Sequence, residues 1–399
     1  MGKNKHFSGQ PIFSQLIGLL PRSEINRIAS QHQSDRYYKK FRSYEHLITM
    51  LYCIWSKCTS LREVATGLMA CERRILHLGM QYFPRKSTLA DANRQRNADF
   101  FRDVYMLLFK TYAAHLPDSR SDKWRSKLFI FDSTTISLFQ DILKNAGRNP
   151  MNGKRKGGVK AHTMINAEQD VPCLVELTAA AAHDSPFMKK IDLPAGSIAV
   201  FDKGYVDYTQ FSKWTRQKVW FVTRLRKAAV YKKLNDRTVS KEELKEGVCA
   251  DQDIFLGHHS HENITRLHAR LVVFQDPISG REFQFLTNNT DMKASTIAQI
   301  YKQRWQIEIL FKRIKQNYPL KYFLGDNENA IKIQIWCALI ADLLLKYIKK
   351  MVKRQWAFAN LASMIRLHLM TYISLYKFLN NPEAELSRDL QIHPSLFPT

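Results

Sequence analysis

Cysteine is scarce and unpatterned. The chain of 399 residues holds six (Cys53, Cys58, Cys71, Cys173, Cys249 and Cys337), with no C-x-x-C pair. This excludes a disulfide framework and a cysteine zinc cage, and reads as reduced thiols in a cytoplasmic protein. No run of about 18 apolar residues occurs, which excludes a transmembrane helix. The richest stretch, Ile335 to Leu345, is too short and carries Asp342. The opening residues Met1 to His6 lead into no apolar segment, so no secretory signal is expected. There is no phosphate-binding loop, which argues against ATP-driven work. Internal repeats and low-complexity tracts are also missing.

Acidic residues are in short supply: 36 Asp plus Glu stand against 61 Lys plus Arg, a net charge of +25. Hydrophobic residues make up 45% and aromatics 12%, so the chain is globular and not a disordered basic tail. Such an excess suits a polyanionic partner, nucleic acid first and an acidic membrane surface second. Its distribution favours nucleic acid. Residues 1–120 carry 19 basic and 9 acidic groups, residues 121–227 carry 18 and 10, and residues 291–399 carry 16 and 8. Residues 228–290, with 8 and 9, are near neutral. A basic body interrupted by one neutral segment fits a protein that wraps DNA or RNA and carries an insertion with a different task.

Residues 1–119 read as helical, with apolar positions at helical spacing in Tyr44, Leu47, Ile48, Leu51, Ile54 and Trp55, and again in Phe100, Val104, Leu107 and Leu108. Ser87 is the expected N-cap of a helix starting near Thr88, with Lys86, Arg94 and Arg96 around it. Such a helix either grips phosphates or is a solvated basic face. The polar stretch Pro117 to Asp122 marks a boundary. Strands then follow at Leu128–Ile136, Gly157–Ile165, Leu174–Thr178, Gly196–Asp202 and Val219–Arg224, with a helix at Tyr208–Arg216, which argues for an α/β domain. Leu271–Phe274 and Phe283–Thr287 read as a hairpin about Pro277–Gly280. A helix over Ala294–Gln316 and a buried one over Asn329–Lys353 complete the pattern.

Two strands carry an isolated acid in an apolar setting, Asp132 and Asp202. Each needs a partner, either a cation or a backbone turn that it caps. A third acid, Glu308, stands four residues after Arg304 and seven from both Tyr301 and Lys315, so one helix face would present these four together. The competing reading is a solvated face with i,i+4 ion pairs. Lys160 and His162 alternate with apolar neighbours and face either DNA or the polar side of a sheet edge. His258, His259, His261 and His268 cluster in the neutral segment and read as a solvated loop more readily than a zinc site.

Tyr301, Arg304, Glu308 and Lys315 together resemble the Y-R-E-K signature of the insertion-sequence transposases of the IS-four family. Leu286–Asn289, Asp132-Ser133-Thr134 and Asp202-Lys203-Gly204-Tyr205 are similar to that family's flanking motifs, and the likeness runs from about residue 120 to 345. The resemblance implies a ribonuclease-H-like catalytic core within an α/β fold, with a β-rich insertion at about 228–290. An α-helical N-terminal DNA-binding domain (1–119) would precede it and C-terminal helices (346–399) would follow. It implies a D-D-E triad of Asp132, Asp202 and Glu308 holding two Mg2+ ions, with Mn2+ as a substitute. It further implies cleavage of transposon ends and their joining to target DNA without a covalent intermediate; several relatives make a hairpin. The partner is then double-stranded DNA, with no membrane, a homodimer in the DNA complex and a place at the bacterial nucleoid. Tyr301, Arg304, Lys315, Arg224, Lys160, Arg94 and Arg96 are the expected DNA contacts. Some relatives have a base-stacking Trp where Phe283 stands; Phe283 is either that stacker or a core residue. A stand-alone metal-dependent endonuclease and a non-catalytic DNA-binding protein are the alternatives.

Overall fold

The computed structural model describes residues 9–71, 76–117, 124–137, 158–182, 184–259 and 264–390. Residues 118–122 of the expected boundary, Gly157 and His261 lie outside these, as do the side chains of His258 and His259. Six helices come first: α1 (Ile12–Ile17), α2 (Arg22–Gln31), α3 (Ser43–Ser56), α4 (Leu61–Ala70), α5 (Lys86–Gln95) and α6 (Ala98–Tyr112). The α/β part follows with β1 (Leu128–Ser137), β2 (Gly158–Asn166), β3 (Pro172–Ala179), α7 (Ser185–Lys189), β4 (Ile198–Phe201), α8 (Tyr208–Arg216) and β5 (Trp220–Arg224). Next come β6 (Tyr231–Asp236), α9 (Lys241–Lys245), β7 (Val248–His259), β8 (Ile264–Gln275) and β9 (Glu282–Thr287). The described residues close with α10 (Ala294–Lys302), α11 (Trp305–Asn317), α12 (Glu328–Met351), α13 (Phe358–Leu367), α14 (Leu375–Asn380) and α15 (Pro382–Leu390).

Among the described residues, nine strands form one sheet in the order β3-β2-β1-β4-β5-β9-β8-β7-β6. The first three make an antiparallel meander, and β4 and β5 add parallel to β1. That five-strand order is ribonuclease-H-like. The expected hairpin is present, with β8 and β9 pairing antiparallel about residues 276–281, but it does not stand apart: β9 also pairs with β5 through Val222 and Thr287, and β8, β7 and β6 extend the same sheet outward. Within the near-neutral segment the buried Arg270 guanidinium donates to both oxygens of buried Asp251 at 2.8 and 2.7 Å. A buried pair of that kind leaves no net charge for a polyanion.

Strand parity divides the core. Phe131 and Phe201 stack at 4.7 Å on the face that packs under α8, with Trp214 and Phe211. Leu128, Ile130, Ile198 and Val200 point the other way, into the core shared with α10–α13. Because successive strand residues alternate, Asp132 and Asp202 fall on this second side. Helix α12 is the spine of that core. Almost all of it from Ala330 to Ile348 is buried, including Gln334 and Asp342, as expected of a helix apolar on every face. Helices α3 and α6 pack on it from one end of the chain and α13 from the other. The N-terminal segment is also tied to the C-terminal part, with Ile12 N donating to Thr371 O and Phe13 N to Leu369 O. No helix among the described residues is long and apolar enough to cross a membrane.

Two local expectations are corrected. The basic helix α5 starts at Lys86 with Arg85 as its N-cap, and Ser87 lies inside it without a capping bond. The single helix expected through Tyr301–Lys315 is two, α10 and α11. Between them Gln303 N bonds Ile300 O, Arg304 N bonds Tyr301 O, Gln306 N bonds Gln303 O and Ile307 N bonds Arg304 O. These i to i−3 bonds are a tightened 3-10 turn, in which residues three apart eclipse. Tyr301 and Arg304 are therefore brought together, with the guanidinium 5.9 Å from the ring centroid.

Candidate active site

Pairing of β1 with β4 sets Phe131 beside Phe201, so Asp132 and Asp202, one residue on, stand side by side where the parallel pairing ends. Helix α11 crosses β1 and brings Glu308 to the same edge. Two arginines hold the three acids. Arg304 donates from Nη1 to Asp132 Oδ2 at 3.0 Å and from Nη2 to Glu308 Oε1 at 2.6 Å. Arg224, at the end of β5, donates to Asp202 Oδ1 at 2.8 Å, and the Tyr301 hydroxyl reaches the same oxygen at 3.4 Å. The Tyr301 ring lies between the two guanidiniums, 5.8 Å from that of Arg224, and packs on Phe285 at 4.9 Å. The Nε atoms of Arg224 and Arg304 are buried without a partner.

Burial pushes the Asp132 carboxyl up to about 6, against the Ser133 amide bond and the Arg304 charge, with Asp202 and Glu308 adding to the rise. Burial opposes ionisation of Asp202 as well, but the Arg224 hydrogen bond and charge outweigh it and hold that carboxyl below its usual range. Arg304 is pushed up: burial works against its charge, and the Glu308 hydrogen bond, Tyr301 and Asp132 overcome it. Three carboxylates against two guanidiniums leave one negative charge over in a half-buried cleft. Among the described residues no three metal-ligating side chains are close enough to share an ion, because Arg304 stands between two of the acids. The donor set, three hard carboxylate oxygens with a negative surplus, nevertheless fits a divalent cation.

The other expected residues separate into two groups. Lys315 joins the site: its ammonium donates to Thr134 Oγ1 at 2.7 Å and Thr135 O at 3.0 Å on β1, and burial lowers its proton affinity. Arg94 is exposed on α5, paired with Asp91 at 2.9 Å. It shares an open groove of about 610 Å3 with Arg62, Lys86 and Asp326, between the starts of α4, α5 and α12. Lys160 and Arg96, by contrast, face no solvent. Lys160 is buried, donating to Asp184 Oδ1 at 3.0 Å and to Ala182 O. The Arg96 guanidinium is fully buried and donates to the carbonyls of Phe41, Arg42 and Ser34. A fully buried arginine held by three backbone acceptors ties a loop and is out of a phosphate's reach. Phe283 is half-buried and stacks on Phe285 at 5.9 Å.

Asp184 was not visible in the sequence. It lies just before α7 and accepts from Ser133 Oγ at 3.1 Å and from Lys160, with His162 Nδ1 at 3.6 Å. It thus braces the residue next to Asp132. Arg313 is the second residue missed. It donates to Asp170 and Asp342 at 2.9 Å each, and Lys346 also pairs with Asp170.

Residues 123–344 match the family of the transposase DDE domain. The chain belongs to that family. It is a DDE-type DNA transposase, and two of the relatives reported below are named for insertion sequence elements. A transposase of Sinorhizobium fredii is 32% identical over 267 residues, 66% of this chain and 71% of that protein. The transposase for insertion sequence element IS5377 of Geobacillus stearothermophilus is 30% identical, over 59% of this chain and 60% of its own. That for IS4SA of Synechocystis is 25% identical, over 66% and 71%. Residues 8–81 of this transposase match a domain of unknown function. The solved piggyBac transposase synaptic complex with hairpin DNA covers 99% of this chain and 85% of its own, with 10% identity and a TM-score of 0.43. Transposases of the DDE class generally use divalent metal ions, for which the acids at the sheet edge are this chain's candidates.

Proposed function

We propose that this transposase binds the duplex ends of its insertion sequence and, as a homodimer on DNA, cuts them and joins them to target DNA. In this reading it belongs to the Y-R-E-K branch of the IS-four family. One observation carries the proposal: three acids far apart in sequence, on β1, after β4 and on α11, meet around two arginines at the carboxyl edge of the parallel strands. Asp132, Asp202 and Glu308 would hold Mg2+, or Mn2+ in its place. When bound, such ions supply Lewis acidity for in-line phosphoryl transfer.

The chain's own residues do the placing. Arg224 and Arg304 offer planar guanidiniums matched to phosphate oxygens, each with an unused Nε. Lys315 adds a point charge beside β1, and the Tyr301 ring centroid lies 5.8 and 5.9 Å from the two guanidiniums. Residues 1–119 would grip the end through the groove of Arg62, Lys86 and Arg94, with 120–345 as the catalytic domain and 346–399 as helical support.

The test is cleavage and strand transfer on a labelled duplex carrying the element's end, with Mg2+. Asp132→Asn, Asp202→Asn and Glu308→Gln should each lower cleavage by roughly a thousandfold or more, the scale expected when one member of a catalytic unit is lost. End binding in a gel shift should persist. Near wild-type cleavage in any one of them removes that residue from the site, and cleavage without strand transfer would make the protein an endonuclease.

A further inference from the structure

We propose that Arg304 closes the carboxylate site against metal until a DNA phosphate draws its guanidinium away, so that metal loading depends on DNA. The inference rests on the reading of Asp132 and Glu308 as metal ligands. The Arg304 guanidinium bridges Asp132 Oδ2 and Glu308 Oε1, so a positive group already occupies the space between the two acids that an ion shared by both would enter. Arginine carries no acceptor and cannot share an ion with them. One cationic group must therefore leave before the other enters.

Three features make the exchange favourable when a phosphate arrives. The Arg304 Nε is buried with no acceptor, an unfavourable state that a phosphate oxygen relieves. The guanidinium fork matches a phosphate in a bidentate arrangement, at least as well as it matches two carboxylates on separate elements. Electrostatics act in the same direction. With Arg304 in place, its positive charge lies against Asp132 and Glu308; with Arg304 withdrawn those two acids lose it, which favours a cation between them. The side chain is also placed to move. Arg304 is the N-cap of α11, in the 3-10 turn between α10 and α11, and turns of this kind often act as hinges. The device would keep a broadly basic protein from nicking DNA before an end is seated.

Coupling of this sort is reciprocal, so DNA raises metal affinity by the factor by which metal raises DNA affinity, typically about 5- to 150-fold. The experiment is Mn2+ titration of the full chain, read by loss of the free-ion electron paramagnetic resonance signal, with and without a short duplex and with the duplex alone as background. Thermal melts with and without Mn2+ run alongside. Wild type should bind Mn2+ at least about fivefold more tightly with DNA than without, and Mn2+ should leave its melting temperature unchanged without DNA. Arg304→Gln should gain at least that factor without DNA and should melt higher when Mn2+ is added. Where Arg304→Gln fails to fold, Arg304→Lys makes the same comparison, since one ammonium does not span both acids as the fork does. Equal Mn2+ affinity in wild type and the Arg304 variants without DNA overturns the gate. Asp132→Asn in the Arg304→Gln background separates the two readings: if it leaves Mn2+ binding intact, the metal is not at these acids and the ligand assignment fails, whereas loss of binding places the ion there and leaves the gate to stand or fall on the first comparison.

Discussion

Asp132 should cost the metal-free protein stability at neutral pH, and Asp132→Asn should recover it. The carboxyl is only 20% exposed and titrates at about 6, against 3.8 for an unhindered aspartate. The native state therefore holds its proton at a pH where the unfolded chain has released it. A raised carboxyl value means that this group's contribution is favourable at low pH and is lost as pH rises from 3.8 through about 6. At ~1.4 kcal/mol per pH unit, the difference amounts to roughly 3 kcal/mol at pH 7.5, about half that at pH 5 and little at pH 4. Asparagine carries no charge to bury and keeps an acceptor for the Ser133 amide, now 2.8 Å from Asp132 Oδ1. What it loses is the ion pair with Arg304, so the sign of the result decides whether burial or the ion pair dominates. The assay is equilibrium urea unfolding of wild type and Asp132→Asn in EDTA at pH 4, 5 and 7.5. The variant should be more stable by about 1–3 kcal/mol at pH 7.5, with the gap closing toward pH 4. A variant less stable than wild type at pH 7.5 would refute the reasoning and show that the attraction of Arg304 outweighs the cost of burying the charge.

The charge network behind α11 gives a second expectation. Asp342→Ala strips a buried partner from Arg313 and should lower stability by about 3–5 kcal/mol in the same unfolding assay, while Asp342→Asn, which keeps the acceptor, should cost less. The basic residues near α5 give a third. Replacing Arg62, Lys86 and Arg94 with Ala should flatten the dependence of DNA affinity on salt by roughly 0.9 per phosphate contact removed, measured by gel shift across ionic strengths. Arg96→Ala should leave that slope unchanged and lower the melting temperature instead, because the Phe41 and Ser34 carbonyls would lose their buried donor.

Strand identity was legible because β1 and β4 are short apolar runs that each meet one acid, and pairing of the two runs sets those acids side by side. The helix break was not. Ile300, Ile307, Leu310 and Ile314 keep apolar spacing of seven, three and four across residues 303–304, so periodicity sees one continuous stripe. The tightened turn comes with long-range contacts, chiefly the pull of Arg304 toward Asp132 on a strand 172 residues earlier. Arg94 and Arg96 differ by two residues and read alike as basic positions after a polar helix; only the three carbonyls of the 34–42 loop, brought in by folding, assign one to the interior and the other to solvent. Asp184 is a single loop acid with no periodicity around it, and its role exists only once β1 and β2 bring Ser133, Lys160 and His162 beneath it. The neutral insert was visible as charge, but its continuation of the sheet was not, since edge pairing of β9 with β5 depends on register and leaves no compositional trace.

The placement of Glu308 follows from how α11 is fastened. Near its end Lys315 donates to Thr134 and Thr135 on β1, and two residues earlier Arg313 is held by Asp170 of the β2–β3 turn and by Asp342 of α12. These anchors use groups away from the three acids, so they hold the helix whether or not an ion is bound. The anchor at its start, Arg304, uses the acids themselves. A helix fixed at one end and exchangeable at the other can release a guanidinium without losing its position on the sheet. Glu308 lies one turn after the exchangeable end and two turns before Lys315. The carboxylate therefore keeps its place beside Asp132 while the charge next to it is replaced, as a site meant to pass from arginine to a divalent cation requires.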